Sequence, residues 1–202
     1  MLLSTAQSAA QLGVSDRQVR RAAASGQLEA GHHGHAYTLA AKQVRALGRT
    51  GTRGRPWSQE TRTAALDLLS GRSPQSLRGA RLRRLADRVR TAAPRDLAGH
   101  LLRGSAALRR APDANARARH APKAAHDLGL TPTGGLAVVV SEDAAVLARK
   151  LRMPLDPEGD VVFVSGAEQH TTVLEVCALF AFGDTREHAA AGSWLLERAR
   201  SL

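Results

Sequence analysis

Between Ser4 and Leu47 the apolar positions change period twice, and each change marks an element. Ser4-Thr5-Ala6-Gln7 has the form of a capping box, with a helix running to about Leu12. Gly13 is placed to take the left-handed conformation that closes it. Val14 is expected to reach inward, and Ser15 to cap a second helix. In that helix Val19, Ala22 and Ala23 stand at helical spacing, while Arg17, Arg20 and Arg21 fall on other faces. Two short helices across a glycine-containing turn make a helix-turn-helix. Leu28-Glu29-Ala30 and Ala36-Tyr37-Thr38-Leu39 flank the glycine-rich stretch Gly31-His32-His33-Gly34-His35, which predicts a hairpin. Ala40 to Leu47 then reads as a helix with Val44 and Leu47 inward.

The next apolar stripes have the helical period only. Ser58 caps a helix whose apolar face is Trp57, Thr61, Ala64, Ala65, Leu68 and Leu69, and Gly71 stops it. Ser73-Pro74 opens a second helical region, with the stripe Leu82, Leu85, Ala86 and Val89. Pro94 opens a third, with Leu97, Leu101 and Leu102 inward. Ala106 to His126 carries little apolar weight and reads as a helix broken by loops. The pattern then becomes mixed. Leu136–Val140 and Val161–Val164 are buried-type strands, with a helix bearing Val146, Leu147 and Leu151 between them. The turn Asp156-Pro157-Glu158-Gly159-Asp160 precedes the second strand. An apolar helix runs from Thr171 or Thr172 to Phe182. Asp184-Thr-Arg-Glu187 begins a last helix bearing Trp194, Leu195 and Leu196.

The reading is therefore an α+β chain, mostly helical, in four parts. Residues 1–48 form a winged helix-turn-helix and 49–55 a linker. Residues 56–125 form a basic helical segment and 126–202 a small α+β domain. Charge reinforces this division. The chain of 202 residues carries a net +11, as +6 over 1–55, +10 over 56–125 and −5 over 126–202. Such asymmetry suggests a basic part that faces a polyanion and an acidic part with another task. No apolar run approaches the roughly 18 residues of a membrane span, and the N-terminus lacks the pattern of a signal peptide. A cytoplasmic protein without a membrane partner is expected. Cys177, the single cysteine, lies in an apolar run and is expected to be buried and inert.

Candidate chemistry is concentrated in the basic parts. Arg17, Arg20 and Arg21 suit phosphates and guanine edges in a major groove, where a bidentate arginine discriminates by roughly 1–3 kcal/mol. Ser15 and Gln18 are expected to share in recognition with these arginines. Gln18 either reads adenine or is solvated. His32, His33, His35 and Tyr37 place a wing over the sugar-phosphate backbone, or the histidines simply face solvent. Three histidines in so short a span rarely converge on one ion, so no metal and no cofactor is implied. Arg53, Arg55, Arg81, Arg84 and Arg88 are candidate phosphate contacts; for the arginines at 78, 81, 83, 84, 88 and 90 the alternative is a solvated helix face with Asp87 and Asp96 as partners. Catalysis is not indicated. Asp156, Glu158 and Asp160 sit on a turn, and Thr133-Gly134-Gly135 precedes a strand instead of following one.

The order helix, turn, helix, hairpin, helix carries Gly13-Val14-Ser15, Val19-Arg20, Ser25-Gly26-Gln27-Leu28 and Tyr37-Thr38-Leu39. It resembles the excisionase/MerR-type DNA-binding family. With the segment RGRPWS…AALDLLSG and the tail PLDPEGDVVFV…FGDTREHAAAGSWLLERA, the whole chain resembles the AbiEi-like antitoxins. These are regulators encoded beside AbiEii-type nucleotidyltransferase toxins. The resemblance implies a repressor that binds its own operator in double-stranded DNA and so autoregulates a toxin–antitoxin operon. An alternative is a direct inhibitor whose acidic tail docks on the nucleotidyltransferase toxin. A third is a DNA-bending accessory protein of excisionase type.

Overall fold

The Ser4 hydroxyl accepts from the Gln7 amide (3.1 Å), and Gln7 Oε1 accepts from the Ser4 amide (2.9 Å), closing the capping box that the spacing predicts. These bonds start helix α1 (Thr5–Leu12) in the computed structural model of the chain. The structure describes residues 1–24, 30–33, 36–51, 55–131 and 135–202, with the backbone alone at His32 and His33. Gly13 ends α1 at φ +66°, where a side chain would cost about 1–2 kcal/mol. Its amide bonds the Ala10 carbonyl and the Val14 amide bonds the Ala9 carbonyl, the two bonds of a Schellman close. This geometry turns Val14 outward: it is 41% exposed, where the apolar pattern alone points it inward.

Helix α2 (Asp16–Ala24), strands β2 (Ala30–His33) and β3 (Ala36–Ala40), and helix α3 (Ala41–Thr50) follow in the predicted order. A further strand, β1 (Leu2–Ser4), pairs antiparallel with β3, setting Leu3 opposite Leu39 and giving the strand order β1-β3-β2. Three residues are too few to display an alternation, so this strand is invisible to periodicity. Ala9, Val19, Leu39 and Val44 form the small core of this unit.

The rest of the chain comprises α4 (Gln59–Leu69), α5 (Gly79–Thr91), α6 (Pro94–Leu102), β4 (Ala106–Arg109), α7 (Ala114–Ala118), α8 (Ala124–Asp127), β5 (Ala137–Ser141), α9 (Ala144–Lys150), β6 (Val161–Ser165), α10 (Thr171–Phe182) and α11 (Thr185–Arg200). The fold is α+β and mostly helical, as the pattern indicates. Caps at Ser58 and Asp184 form as expected, and Pro94 opens α6. The second helix of this part starts at Gly79, later than Ser73-Pro74 suggests.

The stretch beginning at Ala106 is a correction. It opens with a strand, β4, which pairs antiparallel with β6, while β5 pairs with β6 in parallel. Ala-Ala-Leu-Arg has little strand propensity of its own. Its pairing with Val161–Val164 decides the conformation, an instance of tertiary context overriding local preference.

Alternation along β5 and β6 divides two packed layers. Ala137, Val139, Val161 and Phe163 face a cluster with Ala144 and Ala148 of α9. Val138, Val162 and Val164 face the helical layer, with Leu66, Leu97, Leu174 and Leu195. That second cluster draws on both 56–125 and 126–202. The boundary at 125/126 is thus a boundary of charge and not of packing. The expected linker shifts too, since Arg49 and Thr50 belong to α3. Cys177 is fully buried in the same layer, and burial pushes its thiol up to about 12.

Arg62 of α4 is buried, and among the described residues it has no ion pair. Its Nε donates to the Leu101 carbonyl (2.7 Å), and its Nη2 to the Ser105 hydroxyl and the Ser165 carbonyl (3.0 Å each). One guanidinium therefore ties α4 to the end of α6 and the end of β6. Among the described residues, no helix is long and apolar enough to cross a membrane.

Two expectations follow. Arg62→Met leaves the Leu101 and Ser165 carbonyls without their donor and should lower stability by roughly 2–4 kcal/mol in urea unfolding. A fragment of residues 126–202 lacks β4 and α4–α6. It should show no cooperative thermal transition where the full chain shows one.

Candidate nucleic-acid interface

Helix α2 is short, rich in arginine and buries a single side chain, Val19. Its start is closed by a reciprocal pair. The Gln18 amide donates to Ser15 Oγ (3.3 Å), and Gln18 Oε1 accepts from the Ser15 amide (2.9 Å) and hydroxyl (3.0 Å). Ser15 thus caps the helix as expected. Gln18 is exposed and serves the same cap through its carbonyl oxygen. A bidentate amide contact to adenine needs that oxygen as well as the amide nitrogen.

Arg17, Arg20 and Arg21 are all exposed. Arg20 Nε contacts Asp16 Oδ2 at 2.7 Å, one turn earlier on the same helix. The i, i+4 spacing in the sequence is the signal for this pair. An exposed pair of this kind contributes at most about 1 kcal/mol, less than the roughly 1–3 kcal/mol of a good arginine–guanine contact. It therefore orients Arg20 without locking it away, and among the described residues no ion pair engages its Nη groups.

In the hairpin, His32 pairs with Tyr37 and His33 with Ala36 in the strand register. Tyr37 is half-buried. The side chains of His32 and His33 lie outside the described structure, as do His35 and Arg53. Arg55 is exposed. Among the described residues, no three of His, Cys, Asp and Glu are grouped so as to hold a metal ion.

The candidate phosphate contacts on α5 differ in their engagement. Arg81 pairs with Glu60 at 3.0 Å, and Arg84 Nε donates to the Ala80 carbonyl of its own helix at 3.2 Å. Asp87 is a partner on this face as expected, taking Arg90 at 2.6 Å, whereas Glu60, the partner of Arg81, was not among those expected. Arg88 lies over the Trp57 ring, 5.2 Å from its centroid, and Trp57 stacks on His100 with centroids 4.5 Å apart and planes 6° from parallel. Trp57 stands ahead of α4 and packs against α6 through this stack. Arg88 is exposed yet rests on packing at one face, so the arginines along α5 differ in how far they are already engaged.

The stack carries a pH dependence. His100 is 5% exposed, and burial, aided by the charges of Arg88 and Arg103, pulls its imidazole below the ordinary value. A histidine held neutral in the fold contributes stability that is present above its unfolded value, about 6.5, and lost as pH falls through the window below it. His100→Phe keeps an aromatic ring against Trp57. It should flatten the loss of stability between pH 7 and 5, read from urea midpoints, with His120, likewise held low by burial, retaining a share.

Compared with known proteins, the chain matches no family model, no curated protein and no solved structure.

Proposed function

We propose that this chain is a non-enzymatic, cytoplasmic regulator that binds its own operator in duplex DNA through a winged helix-turn-helix, and that it acts as the antitoxin of a toxin–antitoxin operon. One observation carries the DNA reading: α2 follows a glycine turn, buries only Val19, and leaves Arg17, Arg20 and Arg21 exposed beside a three-stranded sheet. A helix of this kind enters a major groove with base contacts from its first turns, while the hairpin lies along the backbone. Arg20, oriented by Asp16, reads a base; Arg17 and Arg21 hold phosphates. The antitoxin role rests on the resemblance to AbiEi-like regulators, with a nucleotidyltransferase toxin as the accompanying partner.

The test is fluorescence anisotropy on the upstream region of the gene and on random duplex, across salt concentrations. Wild type should prefer the upstream region. Arg17→Ala and Arg21→Ala should each weaken both duplexes and reduce the slope of log K against log salt by about 1. Arg20→Ala should cost roughly 10- to 100-fold on the upstream region and little on random duplex. Equal affinity of wild type for both duplexes would refute the reading.

A further inference from the structure

We propose that the outer edge of β4 is a docking site for an extended acidic segment of a partner protein, which joins the sheet as a short added strand. The inference stands apart from DNA binding and needs no residue of α2's arginine set.

Register identifies the open groups. β4 pairs with β6 as Ala107↔Phe163, and the Ser165 amide donates to the Ser105 carbonyl at 2.7 Å. In an antiparallel ladder the backbone groups of successive residues point to opposite sides. Residues 105, 107 and 109 therefore bond inward to β6, and 106, 108 and 110 point outward. The bonds from the Asp156 amide to the Leu108 carbonyl and from the Arg110 amide to the Pro154 carbonyl, 3.1 Å each, agree with that assignment. They also show how far the edge is covered: from the Leu108 carbonyl onward, the segment at Pro154–Asp156 lies against it. Beyond this cover the chain passes close to the end of β4, where a Cβ at Gly159 would collide with the Arg109 backbone.

Three outward groups remain: the amide and carbonyl of Ala106 and the amide of Leu108. Among the described residues, none of them has a partner outside the sheet. At the other edge of the sheet, by contrast, the Val138 amide bonds the His120 carbonyl at 2.9 Å. Open edges are normally blunted by charge, proline or a bulge, and Ala106-Ala107-Leu108 carries no charge and no proline.

The open groups lie along a groove of about 1190 Å³ between β4 and α6 on one side and the α1–α2 turn and α3 on the other. That exceeds the roughly 300–1,000 Å³ typical of a small-ligand pocket. Its rim holds two of the large apolar side chains most open to solvent, Val14 at 41% and Leu155 at 55%. Among the described residues its charges are all of one sign: Arg95 and Arg103 line it, no carboxylate does, and neither arginine has an ion pair, although Arg95 Nη2 also donates to the Gly48 carbonyl of α3 at 3.3 Å. Backbone donors and an acceptor, apolar rim positions and unopposed cations together suit a chain that alternates apolar and acidic residues. In strand addition the main chain supplies affinity and alternate side chains supply specificity.

The probe is the capped peptide acetyl-Glu-Val-Glu-Val-Glu-amide, titrated into the ¹⁵N-labelled full chain. Saturable shifts should appear at the Ala106 and Leu108 amides, with slowed hydrogen exchange at both. N-methylation of alternate peptide amides should weaken binding at least tenfold, and Arg95→Glu with Arg103→Glu should do the same while the far-UV spectrum stays unchanged. Absence of saturable binding up to millimolar peptide, or equal affinity after N-methylation, overturns the proposal. Protection of both amides without peptide, accompanied by a dimer in sedimentation, overturns it in favour of self-pairing. DNA affinity is not a readout here, so failure of this proposal and failure of the DNA reading are separable.

Discussion

Helix α3 is the member on which the arrangement depends, because it belongs to two cores at once. Val44 faces the small cluster beneath the first sheet, and Ala46 faces the large helical layer. Its two ends are clamped by charge-assisted bonds to main-chain carbonyls. Lys42 Nζ donates to Gly159 and Arg49 Nη1 to Gly183, each at 2.6 Å. Burial pulls the Lys42 ammonium below its ordinary value, against Asp160 and Glu187, which favour the charge. Arg49 meets the carbonyl end of α10, where the helix dipole favours a cation. The N-terminal unit buries few large side chains of its own. A unit of about 50 residues is marginal alone, so this attachment is part of its stability as well as its orientation.

The attachment determines what α2 can do. Its arginines are displayed by a helix that rests on α1, and α1 rests on α3, so the basic surface is referred to the body of the molecule through contiguous packing. The N-terminal amine adds a further tie, to Glu158 on the Asp156–Asp160 turn. That turn reads in the sequence as a loop whose carboxylates serve as caps, and it does so here. Asp156 accepts the Glu158 amide at 2.8 Å, and Asp160 accepts the Ala111 amide at 2.9 Å.

Charge and packing divide this chain differently. The net charge changes sign near residue 126, yet the basic and acidic segments fill one helical layer and complete one sheet. The buried ionisable groups show why they cannot separate. Glu175 of α10 accepts the Ala124 amide at 2.8 Å, joining the acidic part to the start of α8, and burial pushes its carboxyl upward. Arg62 of the basic part ends on the Ser165 carbonyl of the acidic one. Net charge per segment reflects the exposed side chains. The division into packed units reflects buried ones, which are apolar or locally satisfied and contribute little to that sum.

The elements that the sequence by itself determined are those whose signals are local. Capping boxes at Ser4 and Asp184, the left-handed close at Gly13, the helical stripes of α4–α6 and the paired strands β5 and β6 are all written within a few neighbouring residues. For the same reason the outward arginines of α2 were legible. Three-residue β1 and alanine-rich β4 were not, because their conformation comes from partners 36 and 58 residues away, in the registers Leu3↔Leu39 and Ala106↔Val164, rather than from their own side chains. The tertiary structure alone decided which arginines are engaged. Arg20 with Asp16, Arg81 with Glu60 and Arg88 on Trp57 are matters of distance, and composition counts charges without locating their partners. It also decided that the two charged halves share a core, since burial depends on what packs against a side chain and not on where the chain's charge changes sign.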